Sequence, residues 1–369
     1  LKAIAGEKLM WNENTLTEKL GIKYPIIQGP FGGGLSTIKL LSTVSNAGGL
    51  GSFGAHILSP SKIHALISDI RISTDQPFAI NLWVSDHDEG GLGMQREAFD
   101  EYISYFKPYY DALSIAPPAF PEKYTEHYEE QVQALIDAEP PVFSFVYGIP
   151  SDDILEQCRK KRITTIGAAT TLDEALAIEA AGVDIVLATG LEAGGHRVSF
   201  LDEPENSLFG SIALIPQIVD RVRIPVIAAG GIADARGVSA ALSLGAQGVQ
   251  MGTAFLACEE SGTSQMHKEL LFSEVAYKTV LSRAFTGRLA RFIPNEFIRS
   301  IENSAPLPLP FPIQSFFTSA IKRAAGEQSN YQFASLYAGQ GAPLLKHKKA
   351  HDLLASIVSE MNQFKPSIN

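Results

Sequence analysis

The sequence holds only two cysteines in 369 residues, Cys158 and Cys258, far apart in the chain. That excludes a disulfide framework and a clustered metal site, and it points to a reducing compartment, the cytoplasm. No apolar run approaches the ~18 residues of a membrane span, so no membrane partner is expected. Basic residues are outnumbered, 30 Lys plus Arg against 40 Asp plus Glu, for a formal charge of −10. Nucleic-acid binding rests on phosphate neutralisation and is not expected. A small anionic substrate stays open, because local charge can differ from the global sign. The first ten residues lack the apolar core and cleavage pattern of a signal peptide. Met10-Trp11 is expected to be the natural start, with a linker remnant before it. There is no G-x-S-x-G, H-E-x-x-H, P-loop Gly-Lys or C-x-x-C, so hydrolase, zinc-protease and nucleoside-triphosphatase readings lose their usual support.

What is present is globular: 45% hydrophobic residues are enough for a large core, and disorder is excluded. Eight short apolar segments recur, at residues 24–31, 49–55, 78–84, 142–148, 164–170, 184–190, 225–231 and 248–255. Each ends in small residues, and their near-continuous apolar character is that of parallel strands buried on both faces. Amphipathic helices fit between them, as at 172–181 and 235–244. The rhythm predicts an α/β fold, a TIM (β/α)8 barrel, with a doubly wound open sheet as the alternative. Residues 85–141 are too long for a simple crossover. Residues 260–340, around Pro306, Pro308, Pro310 and Pro312, read as a smaller, mainly helical subdomain covering the barrel mouth. The barrel would then span residues 11–259, with 341–369 returning to close it through a helix at 351–364.

The Gly49-Leu50-Gly51-Ser52-Phe53-Gly54 segment has the letters of a dinucleotide fingerprint in the wrong context. A helix precedes it and a strand follows, so it reads as a helix end and not as a pyrophosphate site. Three other glycine-rich ends fall at carboxyl ends of predicted strands, where barrel active sites are built. The run Gln28-Gly29-Pro30-Phe31-Gly32-Gly33-Gly34 is either a flexible turn or a close approach to a flat ligand. Ala229-Gly230-Gly231 and Gln250-Met251-Gly252-Thr253, on strands seven and eight, suit a phosphate site built from backbone N–H groups. Of eight histidines, His196 alone hangs on a glycine-flanked loop after strand six, where catalysis competes with a structural role. Neighbouring Arg197 reads either as an anion attractor or as a surface charge.

Taken in order, Tyr24-Pro25-Ile26-Ile27-Gln28-Gly29-Pro30-Phe31, Asn46-Ala47-Gly48-Gly49-Leu50-Gly51, Glu192-Ala193-Gly194-Gly195-His196, Pro225-Val226-Ile227-Ala228-Ala229-Gly230-Gly231-Ile232, Gly248-Val249-Gln250-Met251-Gly252-Thr253 and Tyr337-Ala338-Gly339-Gln340 resemble the nitronate monooxygenase family, formerly 2-nitropropane dioxygenase. The last element favours its class I branch. The resemblance implies a TIM barrel holding non-covalent FMN and oxidising alkyl nitronates, such as propionate 3-nitronate, with O2 to a carbonyl compound and nitrite. It implies His196 as the catalytic residue. Gly29, Pro30, Phe31, Asn81, Thr189, Gly194, Gly230, Gly231, Gln250, Met251, Gly252 and Thr253 would contact the cofactor. Phe31, Tyr337, Arg288 and Arg291 are candidates for substrate contacts, with packing as the alternative. Thr189 stands where many members carry Gln, Val198 where Gly is usual, and Ala235 where the Asp-Gly-Arg-Gly motif has Gly. Rival readings are an FMN-dependent NAD(P)H-using enoyl or quinone reductase and a non-catalytic FMN- or phosphosugar-binding protein. A homo-oligomer is compatible with all three.

Overall fold

The computed structural model describes residues 10–84 and 94–363. The expectations on residues 1–9, His87 and Phe364 lie outside the described residues. Eight parallel strands follow along the chain: β1 (Ile26–Gln28), β2 (Gly51–Gly54), β3 (Phe78–Trp83), β4 (Val142–Val146), β5 (Thr164–Ala169), β6 (Ile185–Thr189), β7 (Val226–Ala229) and β8 (Gly248–Met251). Their spatial order is β1-β8-β7-β6-β5-β4-β3-β2. The two ends meet, because Ile27 bridges Leu50 in parallel. There the Gln28 N–H donates to the Leu50 carbonyl at 2.9 Å and the Leu50 N–H to that of Ile26 at 3.0 Å. The sheet is therefore a closed TIM barrel, and the open-sheet alternative falls.

Both faces of each strand are buried, which is why the segments read as continuous apolar runs. On β6, Ile185 and Leu187 pack with Ile166 and Ile227, whereas Val186 and Ala188 join Ile178, Leu214 and Ile218 of the surrounding helices. The sequence reading carried the eighth strand to residue 255, but β8 stops at Met251. Gly252 leaves the extended region (φ −91°, ψ −82°) and opens the short helix Thr253–Leu256. Gly51 and Gly54 are glycines for packing. A Cβ on Gly51 would stand 2.1 Å from the Leu41 carbonyl oxygen, and one on Gly54 would stand 2.6 Å from the Phe31 backbone.

The long crossover after β3 carries two helices with different tasks. Tyr128–Ala138 packs against Pro60–Ser73 and β3 as a barrel helix, while Arg96–Ala112 packs against Ile313–Glu327 over the mouth. A second, aromatic core binds that cover together. Phe106 stacks on Phe317 at 5.4 Å and Phe285 on Phe297 at 4.7 Å between ring centroids. The cover is not wholly helical, for its segments Val280–Ser282 and Ala290–Phe292 pair antiparallel. Gly195–His196 adds a third short strand beside Ala290–Phe292.

The C-terminal helix Ala350–Gln363 returns to the barrel between Ile38–Asn46 and Ala235–Ser243. Its Leu353, Leu354, Ile357 and Met361 share a core with Val44 and Val238. Leu354 is buried against Gly49 beside the β1–β2 seam. Leu354→Ala should therefore cost about 2–5 kcal/mol of stability, read as a lower urea midpoint at unchanged slope.

Candidate active site

The carboxyl ends of the strands and the underside of the cover enclose a cavity of about 1070 Å³. That is at the top of the range of roughly 300–1,000 Å³ typical of small-molecule sites. Its wall includes Gly29, Pro30 and Phe31 after β1, Asn81 of β3, Thr189 of β6 and Gly194 with His196 beyond it. Gly230 and Gly231 after β7, Gln250 of β8, Gly252, Thr253 and Tyr337 complete the part read from sequence. Residues scattered over three hundred positions thus converge because parallel strands deliver all their carboxyl ends to one rim.

His196 owes its place to a clamp of backbone and guanidinium bonds. Gly195 and His196 pair with Arg291 and Ala290 of the cover, and the Arg197 N–H donates to the Leu289 carbonyl at 2.8 Å. The Arg197 side chain is fully buried and donates to the backbone carbonyls of Thr189, Gly190 and Ser207. Burial draws its pKa down to about 10. Arg291 donates to the Leu191 carbonyl at 2.8 and 3.0 Å and to Thr279 Oγ1 at 3.1 Å. Both arginines hold the loop, so Arg197 is neither a surface charge nor an anion site.

The late Tyr337–Gln340 element locks the same loop from above. The Gln340 N–H donates to the Glu192 carbonyl. A Cβ on Gly194 would stand 2.5 Å from the Gly339 nitrogen, so the two motifs touch backbone to backbone. Thr253 Oγ1 accepts the Gly339 N–H at 2.9 Å.

Electrostatically, the His196 imidazole is kept neutral. Burial lowers its pKa well below 6.5, helped by the positive charges of Arg288 and Lys322. Its Nε2 lies 3.0 Å from Thr286 Oγ1. Its ring stands edge-on to Trp83 at 5.1 Å and 5.7 Å from the Tyr337 ring.

Three residues expected at the site stand off the cavity wall. Met251 buries its side chain in the core beneath the C-terminal helix. The Arg288 guanidinium lies over Tyr147 at 3.6 Å, Phe311 at 4.4 Å and Trp83 at 5.1 Å. Arg291 is buried in its clamp. Conversely, His56, Trp83, His267 and Lys322 line the cavity, and the sequence reading passed over them. A signal existed for His56, which follows β2 closely and so lies at the active rim. None existed for Lys322, whose helix reaches the site only through the fold of the cover.

The glycines of the wall differ in what a side chain on them would meet. Gly230 and Gly231 adopt positive φ, 114° and 71°, and aim their backbone at the cavity without a Cβ penalty. Gly252 differs: its φ is negative, and nothing lies within 4 Å of a Cβ built there. Among the described residues no atom would meet that Cβ, so a side chain at this position would enter the cavity. Gly252→Val should accordingly leave stability within about 0.5 kcal/mol, read as an unchanged urea midpoint.

Comparison with known proteins agrees with this geometry. Residues 13–360 match the family described as nitronate monooxygenase. A probable nitronate monooxygenase of Staphylococcus haemolyticus (strain JCSC1435) is 40% identical over 354 residues, covering 95% of this chain and 98% of its own. One from Staphylococcus aureus (strain N315) is 39% identical over 356 residues, covering 96% and 99%. Among solved structures, a nitroalkane oxidase from Streptomyces ansochromogenes matches with a TM-score of 0.85 at 33% identity, covering 95% of this chain and 98% of its own. FabK from Thermotoga maritima matches with a TM-score of 0.72 at 28% identity, covering 95% and 96%. With the fold, the ordered motifs and a relative alike over nearly its whole length, the chain is an oxidoreductase belonging to the nitronate monooxygenase family.

Proposed function

We propose that the protein binds FMN non-covalently in the barrel mouth and oxidises alkyl nitronates, such as propionate 3-nitronate, with O2 to a carbonyl compound and nitrite. One observation carries this reading: a neutral imidazole, His196, shares a glycine-walled cavity with the cationic side chain of Lys322. Among the described residues Lys322 makes no hydrogen bond or ion pair, and burial lowers its pKa to about 8. A cation so placed, on a chain of formal charge −10, favours a small anion by local field.

The chain's own residues fit FMN. Gly230, Gly231, Gly252 and Thr253 sit where barrels of this kind place a phosphate, and Thr253 has its hydroxyl proton to give while its oxygen accepts from Gly339. Asn81, Thr189 and Gln250 offer polar groups along the strand ends, and Pro30 with Phe31 supplies an apolar face. When bound, FMN would supply the redox step between nitronate and O2. His196, oriented by Thr286, can hydrogen-bond a nitronate oxygen, or as a neutral base accept the α-proton of a neutral nitroalkane. Tyr337, stacked on Phe292 at 4.8 Å, lines the cavity beside it.

The discriminating experiment supplies propionate 3-nitronate or NADH to the flavin-loaded protein and follows O2 uptake, nitrite and NADH absorbance. Nitronate-dependent O2 uptake with nitrite release is expected, and His196→Asn should retain flavin yet lose about a hundredfold or more in kcat. NADH oxidation with nitronate inert would instead make the protein a reductase.

A pH dependence follows from Lys322. It is charged below its pKa and neutral above, so kcat/KM for a nitronate should fall as pH rises through about 8. Lys322→Met should lower kcat/KM below that pH and flatten the descending limb.

A further inference from the structure

His56 stands on the same cavity wall as His196, and the oxidation chemistry above does not employ it. Its ring lies flat on Trp83, with centroids 3.8 Å apart and planes 3° from parallel, and the same indole meets His196 edge-on. The seat for this ring is built into the chain. A Cβ on Gly32 would stand 2.1 Å from His56 Cε1, and Gly32 does not adopt positive φ. Glycine is required at that position to admit the imidazole, not to make the turn.

The hydrogen bonding of the ring is one-sided. Among the described residues Nδ1 is buried without a partner, while Nε2 is not among the enclosed, unpartnered atoms and so keeps access to the cavity. A buried N–H without an acceptor is costlier than a buried lone pair. The favoured tautomer therefore leaves the lone pair on Nδ1 and points the Nε2–H into the cavity. Burial, with Arg288 and Lys322 nearby, lowers the pKa to about 3, so this neutral donor persists across the physiological range.

We propose that His56 is a second substrate-contacting residue, whose Nε2–H donates a hydrogen bond to an oxygen of the planar anionic group of the bound nitronate. This rests on the nitronate reading for the substrate's name, but the recognition chemistry is that of any small planar oxyanion. A hydrogen bond to a charged acceptor is worth about 1.5–3 kcal/mol, about ten- to a hundredfold in affinity.

The test uses the two tryptophans of the chain, Trp11 and Trp83. In a Trp11→Phe background of the flavin-loaded protein, Trp83 fluorescence reports ligand at the His56 ring. Propionate is the probe, a planar carboxylate shaped like a nitronate that cannot be oxidised in the same way. His56→Phe keeps the stacked ring and removes the donor; His56→Gln keeps a donor.

Saturable propionate binding is expected in the parent, weakened at least tenfold by His56→Phe and restored to within about threefold by His56→Gln. Flavin content and Tm should be unchanged throughout. With nitronate as substrate, His56→Phe should raise KM by the same factor and alter kcat much less. Gly32→Ala, which unseats the ring, should reproduce the weaker binding. Equal propionate affinity in parent and His56→Phe would overturn the proposal and leave His56 as packing. A parent that oxidises nitronates but binds no propionate would overturn it too. A parent that oxidises NADH and ignores nitronates would remove the proposed function, while the propionate titration would still decide the role of His56.

Discussion

The site depends on one constraint: the loop that carries His196 has no stability of its own and must be held by groups outside it. Its glycines would otherwise sample many conformations. The holding is done by two guanidinium groups, one strand pairing and the backbone of Tyr337–Gln340. Arg197 and Arg291 between them satisfy the carbonyls of Thr189, Gly190, Leu191 and Ser207, while Gly195–His196 forms a sheet edge with the cover. Burying a guanidinium costs solvation, and only several well-aligned acceptors offset it. The resulting geometry couples barrel and cover through the imidazole itself.

That coupling explains why the cover is part of the site and not a mere lid. Its strand Ala290–Phe292 aligns His196, its Thr286 bonds the imidazole, its Tyr337 lines the cavity and its helix Ile313–Glu327 delivers Lys322. The aromatic core that unites Arg96–Ala112 with Ile313–Glu327 keeps those contributions in register. The electrostatic result is a chemically mild pocket. Its described histidines, His56, His196 and His267, are all driven toward the neutral form by burial. The positive charge comes from longer side chains nearby.

Glycines play two separate roles in the barrel and its loops. Gly51, Gly54, Gly194 and Gly339 let two stretches of backbone touch. Gly252, by contrast, faces open space, and Gly32 faces a ring. The first kind holds the barrel and its loops together, and the second shapes what enters. Motif letters do not separate these roles, which is why Gly49–Gly54 imitates a nucleotide fingerprint while serving close packing against helix, strand and loop backbone.

What the sequence by itself determined was the repeating unit and its punctuation. Eight doubly buried strands ending in small residues allow few architectures, and a glycine-flanked histidine at the sixth strand end is conspicuous because backbone chemistry acts locally. The ordered motifs carried the family for the same reason. The tertiary structure decided what depends on distant segments meeting: the burial of Arg197 under its own loop, the displacement of Arg288 onto aromatic rings, and the withdrawal of Met251 into the core. It also decided the arrival of Lys322 from a helix more than a hundred residues beyond His196, and the seating of His56 on Trp83 over Gly32. Each of these is set by packing across the barrel and its cover, and long-range packing leaves no period or spacing in the chain.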